Sequence, residues 1–234
     1  MLMMYYKFSF LVIILLFILS NEATAQQDSI QNRKNLFNHF HSHWLFSNDT
    51  VIRKGIKFRV TNFAVQGNAS AIKHFYDSKT EKYFGNHWGS CIDFLIYYKK
   101  LIFGFSGSET FINLKDTLYN ESEILVKDSP LGIFKSNLFA GYNLNIGKKF
   151  SVIPYAEILL TGFQSDETNY ESPGFGFGIF LNKYIQLSPG RNLIIFINNR
   201  IDQTYYSDFN PALGNHYYSI GFGIGYQFLF LKKL

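Results

Sequence analysis

The sequence predicts an all-β fold, an eight-stranded antiparallel transmembrane β-barrel preceded by a short N-terminal helix. Three observations predict it. Apolar and polar residues alternate along eight separate segments, as they do in strands whose two faces meet different surroundings. Aromatic residues make up 19% of the chain and charged residues only 17%, against roughly 25% charged in ordinary soluble domains. Beyond residue 25, no apolar run reaches the roughly 18 residues that a helical span requires. An apolar exterior without helical spans points to a closed barrel, because a wall in lipid must pair its own backbone polar groups.

Residues 1–25 read as a cleaved signal peptide. Lys7 supplies the positive start, and Phe8 to Leu19 form an apolar run broken only by Ser9. Ala23-Thr24-Ala25 gives the small-x-small cleavage pattern, with Gln26 as the mature start. That cleavage pattern argues against a retained anchor helix. Cys91 is the only cysteine, which excludes a lipoprotein signal, an intramolecular disulfide and a cysteine-based metal site.

Residues 26–54 read as a helical periplasmic or interfacial segment. Ile30, Phe37, Phe40 and Trp44 recur at helical spacing, with Arg33 and Lys34 off that face. Such a helix suits either the membrane surface or the periplasmic mouth of the barrel. His39 and His43 share a face at i, i+4, but zinc needs a third ligand and no carboxylate is placed to provide it. The sequence therefore predicts no metal, no cofactor and no catalytic residue.

Residues 55–234 carry the barrel. Ile56, Phe58, Val60 and Ala64 oppose Lys57, Arg59 and Thr61, and a long connection is expected over 67–86. Trp88, Ile92, Phe94, Ile96 and Tyr98 oppose Gly89, Cys91, Asp93 and Leu95. Leu101, Phe103 and Phe105 face away from Gly104, Ser106 and Ser108. Phe134, Leu138, Ala140 and Tyr142 oppose Lys135, Asn137 and Gly141. The fifth segment sets Phe150, Val152, Ala156, Ile158 and Leu160 against Ser151, Tyr155 and Glu157. The sixth sets Phe175, Phe177, Ile179 and Leu181 against Gly174, Gly176, Gly178 and Asn182. In the seventh, Leu193, Ile195, Ile197 and Ile201 oppose Asn198, Arg200 and Asp202. The eighth is the most regular, with Tyr218, Ile220, Phe222, Ile224, Tyr226, Phe228 and Phe230 against Ser219, Gly221, Gly223, Gly225 and Gln227.

The connections alternate in length. Long ones are expected over 67–86, 114–132, 164–172 and 204–215; the short ones are Lys99-Lys100, 147–149 and 188–192. Outer-membrane barrels have this asymmetry, with long loops outside and both chain ends in the periplasm. Tyr98 and Leu101 flank a two-residue turn and so must share a face, and both fall on the apolar one. A soluble barrel would carry its apolar face inward. Glycine-rich polar faces suit a narrow lumen instead, and aromatic residues near the ends of the apolar faces suit interfacial girdles. Charges of both signs then meet in the lumen: Lys57, Arg59, Lys135 and Arg200 with Asp93, Glu157 and Asp202, as a plug of ion pairs.

Gly225-Tyr226-Gln227-Phe228-Leu229-Phe230 resembles the C-terminal recognition signal of outer-membrane proteins, with Leu231 to Leu234 as an extension. The region 56–230 resembles the small eight-stranded outer-membrane barrels. Gln26-Gln27 resembles the mature starts of Bacteroidetes-type secreted proteins. The resemblance implies outer-membrane lipid and the barrel assembly machinery as partners, the latter through the terminal strand. It also implies a structural, adhesive or partner-binding role through the outer loops.

The alternative is lipid A modification. Phe75-Tyr76-Asp77, His87-Trp88-Gly89 and Phe105-Ser106-Gly107-Ser108 loosely resemble the first loop and serine-bearing strand of the lipid A palmitoyltransferases. The position of that family's histidine falls near Ala71, and that of its aspartate is Gly107. A His-x-Ser-Asn run of the deacylase kind is missing. His74, His87 and His216 are expected in outer loops. The net charge of +5 comes from scattered basic residues rather than a stripe, so nucleic acid is not an expected partner.

Overall fold

The computed structural model describes residues 50–53, 56–119, 124–146, 149–165, 169–188 and 190–234. The expected signal peptide and the helix expected over 28–46 lie outside the described residues. The strands in chain order are β1 (Thr50–Arg53), β2 (Ile56–Tyr76), β3 (His87–Tyr98), β4 (Leu101–Asn113), β5 (Leu118–Tyr119) and β6 (Ile124–Leu125). They continue with β7 (Pro130–Tyr142), β8 (Leu144–Ile146), β9 (Phe150–Gln164), β10 (Asn169–Ser188), β11 (Arg191–Gln203) and β12 (His216–Lys233). Two short helices lie between strands: α1 (Ser78–Phe84) and α2 (Tyr206–Phe209). None of the described helices is long and apolar enough to cross a membrane.

Eight strands form a closed ring in the order β2-β12-β11-β10-β9-β7-β4-β3, and β3 pairs back onto β2. Every pairing in the ring is antiparallel. Closure leaves the wall without a free edge, which is the condition for strands in lipid. The predicted turn register holds: Tyr98 pairs with Leu101 across Lys99-Lys100. Ile146 pairs with Phe150 through β8, which continues the line of β7 past Asn143.

Seven of the eight predicted faces match the wall. Phe94, Phe103, Leu138, Ile158, Phe177, Ile201, Phe222 and Ile224 are all exposed outward, while Asp93, Ser106, Asn137, Glu157, Asn182 and Asn198 are buried in the lumen. Exposed aromatic residues border this apolar band, with Trp88 and Tyr218 towards the long connections and Tyr98, Tyr142 and Phe150 towards the short turns.

The first strand corrects the expectation twice. Its place in the wall runs to Tyr76, not Gln66, so the expected connection over 67–86 shrinks to 77–86 and carries α1. Its faces are also reversed, since Ala64, Gln66, Asn68, Ile72 and His74 point inward. The residues that face outward there include Gly67, Ala69, Ala71 and Lys73, too small or polar to write an alternating signature. The clearer pattern at Ile56, Phe58 and Val60 belongs to a projection beyond the wall, where β2 pairs with β1 and with the end of β12 past a bulge between Leu229 and Leu231. β1 is a strand at the end of the 26–54 segment, beyond the helix expected over 28–46. Strands also lengthen at the fifth connection, which spans 165–168 rather than 164–172.

Candidate functional site

Among the described residues the lumen is layered. Nearest the short turns, an apolar floor packs Tyr97, Ile102, Phe139, Ile153, Tyr155, Phe180 and Phe196. Alternation places Tyr155 on the inward face, but it does not single out Tyr97, Phe139, Phe180 and Phe196, which interrupt faces otherwise made of glycine and polar residues. The signal that finds them is cross-strand pairing. Phe139 sits opposite Gly104, Tyr155 opposite Gly178, and Phe196 opposite Gly223. A side chain at any of these glycines would run into the ring opposite it. The glycines are slots for large rings rather than filler in a small-residue lumen.

Above the floor lies a buried charged belt. Arg200 Nη2 is 3.3 Å from Asp93 Oδ1 and donates to Cys91 Sγ at 3.2 Å, while Nη1 donates to Ser106 Oγ at 3.5 Å. Lys135 Nζ bridges Glu157 Oε1 at 2.7 Å and Asp202 Oδ2 at 2.8 Å. Asn137 donates to the other Glu157 oxygen. The predicted plug of ion pairs is therefore present, built from two cations and three carboxylates. Lys57 and Arg59 take no part; both are exposed on the projecting start of β2. Asp93 Oδ2, Arg200 Nε, Asp202 Oδ1 and Asn198 Nδ2 have no hydrogen-bond partner among the described residues, so the belt has polar valences to offer to water.

At the long-connection end the mouth is closed by a lid. Phe84 of α1, Leu118 and Leu125 of the β5–β6 hairpin, and Tyr206 and Phe209 of α2 pack with Phe163, Leu131 and Tyr217 of the wall. Phe163 is central, with ring centroids 4.8 Å from Phe209, 5.7 Å from Phe84 and 5.9 Å from Tyr206. Hydrogen bonds stitch the connections to one another. Asp77 caps α1 by accepting from Thr80 N at 3.0 Å, and its backbone N–H donates to His216 O at 3.2 Å. Gly214 N donates to Thr80 Oγ1 at 2.8 Å, Lys115 N to Tyr83 O at 2.8 Å, and Asn210 Nδ2 to Tyr119 O. On the lid surface, the hydrogen bond to Asp116 raises the Lys82 ammonium above its usual value and holds the Asp116 carboxyl below its own. Burial pushes the Tyr206 phenol well up.

The residues weighed for catalysis do not converge. Ser106 is occupied by Arg200 and Cys91, and Gly107 lies on the opposite, outward face of the strand. His74 is not a loop residue: it is buried at the upper end of β2, its ring 5.2 Å from that of His87. His87 Nδ1 donates to Gly85 O, while His74 Nδ1 and His87 Nε2 have no hydrogen-bond partner among the described residues. Among the described residues no histidine is hydrogen-bonded to Ser106 or Ser108, and no cluster of three or more metal-ligating side chains occurs.

A closed eight-stranded antiparallel barrel with an apolar exterior, a charged lumen and a packed lid is the class that this fold and site define. Solved structures similar to it include Neisserial surface protein A, at 13% identity and TM-score 0.46 over 73% of this chain and 99% of that one. The outer membrane protein OprG from Pseudomonas aeruginosa is similar at 13% identity and TM-score 0.44, over 72% and 97%. Ail, the attachment invasion locus protein of Yersinia pestis, is similar at 12% identity and TM-score 0.39, over 72% and 99%. No family model and no curated protein matches the sequence.

Proposed function

We propose that this chain is an exported outer-membrane barrel that acts without catalysis, through the outer surface of its lid. The observation that carries the reading is the two-sidedness of that lid. Its inner side seals the mouth with packed aromatics, while its outer hairpin leaves Tyr119, Ile124 and Val126 exposed at 68%, 52% and 54%. Exposed apolar side chains beside the charged residues of the lid suit contact with another molecule. Sealing at both ends of the lumen speaks against an open pore, and the engagement of Ser106 with Arg200 speaks against acyl transfer.

In this reading the chain crosses the inner membrane behind a cleaved signal, starts at Gln26 in the Bacteroidetes manner, and reaches the assembly machinery through Tyr226, Phe228 and Phe230. Lipid A profiles from cells with and without the protein test the non-enzymatic part. Identical acylation is expected; a species that changes with the protein would move the reading to lipid A modification. Recovery of the protein with the outer-membrane fraction tests the location.

A further inference from the structure

Among the described residues, acidic side chains on the barrel exterior are confined to one end. Around the short turns the described residues supply only basic ones. Lys99 and Lys100 form the β3–β4 turn, Lys149 precedes β9, Lys183 faces outward from β10, and Lys232 and Lys233 end β12; all are exposed. Lys57 and Arg59, also exposed, extend this collar along β2, where Arg59 pairs with Lys232. Every described aspartate and glutamate lies elsewhere. Asp93, Glu157 and Asp202 are inside the lumen, and the remainder sit on the lid or on the strand ends beneath it.

Two further observations give the collar structure. Several of its cations lie over rings at the border of the apolar band: Lys99 Nζ is 5.7 Å from the Tyr98 centroid, Lys100 Nζ 5.8 Å from Tyr142, and Lys183 Nζ 6.0 Å from Phe150. Each ring anchors an apolar stem and sets the ammonium at the height where lipid headgroups begin. Lys99 also has a φ of 56°, a conformation that glycine or asparagine adopts with less strain. The two-residue turn between β3 and β4 thus carries a lysine where its backbone favours glycine.

We propose that this collar binds anionic phospholipid headgroups in the leaflet that surrounds the short turns. The proposal rests on the membrane reading above and adds lipid selectivity to it. A phosphate supplies both the charge and the acceptor oxygens that an ammonium requires. An anionic headgroup keeps that charge net, whereas a zwitterionic one cancels it with its own cation. The source is glycerophospholipid rather than lipid A, because short turns face the periplasmic leaflet. The lid at the other end carries both signs, Lys79, Lys82, Lys115 and Lys127 among Asp77, Glu81, Asp116, Asp128 and Asp208, so it presents no collar of one sign to the same headgroups.

The test uses the full chain folded into phosphatidylcholine bilayers that carry a trace of spin-labelled phosphatidylglycerol or spin-labelled phosphatidylcholine. The motionally restricted fraction gives their relative association with the protein. At low salt the anionic label is expected to be favoured by about threefold or more, and the preference should shrink at high salt. Combining Lys99→Gln, Lys100→Gln and Lys183→Gln should bring the ratio near unity. Combining Lys79→Gln, Lys115→Gln and Lys127→Gln on the lid removes equal charge and should leave it unchanged. Equal association of both labels with the unaltered protein, or equal losses in the two triple variants, would overturn the proposal. Failure of the unaltered protein to insert into either bilayer would instead overturn the membrane reading, and this proposal with it.

Discussion

Arg200 and Arg59 are the same residue type in opposite situations, and substitutions should separate them. Arg200 is buried with Asp93 at 3.3 Å, so Arg200→Leu strands a carboxylate in the lumen. The expected cost is about 3–5 kcal/mol. Arg59→Leu, at an exposed position, should change stability by no more than about 0.5 kcal/mol. Denaturant titration of the folded barrel in vesicles checks both, and equal effects would mean that the belt charges are solvated. Glycines give a second contrast. Gly178→Ala pushes a methyl into the Tyr155 ring and should cost about 1–3 kcal/mol. Gly107→Ala, whose added carbon meets nothing within 4 Å, should be tolerated. Sequence reading identified Lys135, Arg200 and their carboxylates as lumen residues because each falls on a polar face between strong apolar positions. It misplaced Lys57 and Arg59 because alternation reports a face and not whether that stretch of strand lies in the wall.

Among the elements, the strands with bulky outward residues were legible and the strand without them was not. β12 alternates seven large apolar residues with small ones, whereas the wall part of β2 exposes Gly67, Ala69 and Ala71 and reads as loop. The lid was legible only as length: nothing in residues 114–129 or 204–215 announces that Leu118, Leu125, Tyr206 and Phe209 converge on Phe163. That convergence depends on closing the ring, a long-range fact that local periodicity does not carry. Phe163→Ala removes the ring that contacts α1, α2 and the wall together, and a loss of about 3–5 kcal/mol is usual for such a truncation. Because the lid packs on the wall rather than forming it, the expected readout is faster proteolysis within 114–129 and 204–215 while the strands stay protected. Uniform loss of protection would show that lid and wall unfold as one unit. A tag inserted at 120–123 should be reachable on intact cells and one at Lys99-Lys100 should not; the reverse result would invert the topology.

For the whole molecule, inside and outside are exchanged relative to a soluble barrel: charge at the centre, apolar side chains at the surface. Phe222 and Ile224 are 62% and 59% exposed in the middle of β12, while Gly223 between them faces the Phe196 ring. An arginine at Ile224 should cost roughly 2–4 kcal/mol in a bilayer, but a soluble protein with Ile224 in a hidden interface would also suffer, so stability alone does not decide the matter. Accessibility does. Cysteine placed at 222 or 224 in a Cys91→Ser background, with the protein in native membranes, should react with a lipid-soluble maleimide and resist a membrane-impermeant one. Reaction with the impermeant reagent at both positions, or recovery of the mature protein in the soluble fraction, would contradict the barrel's placement in the membrane.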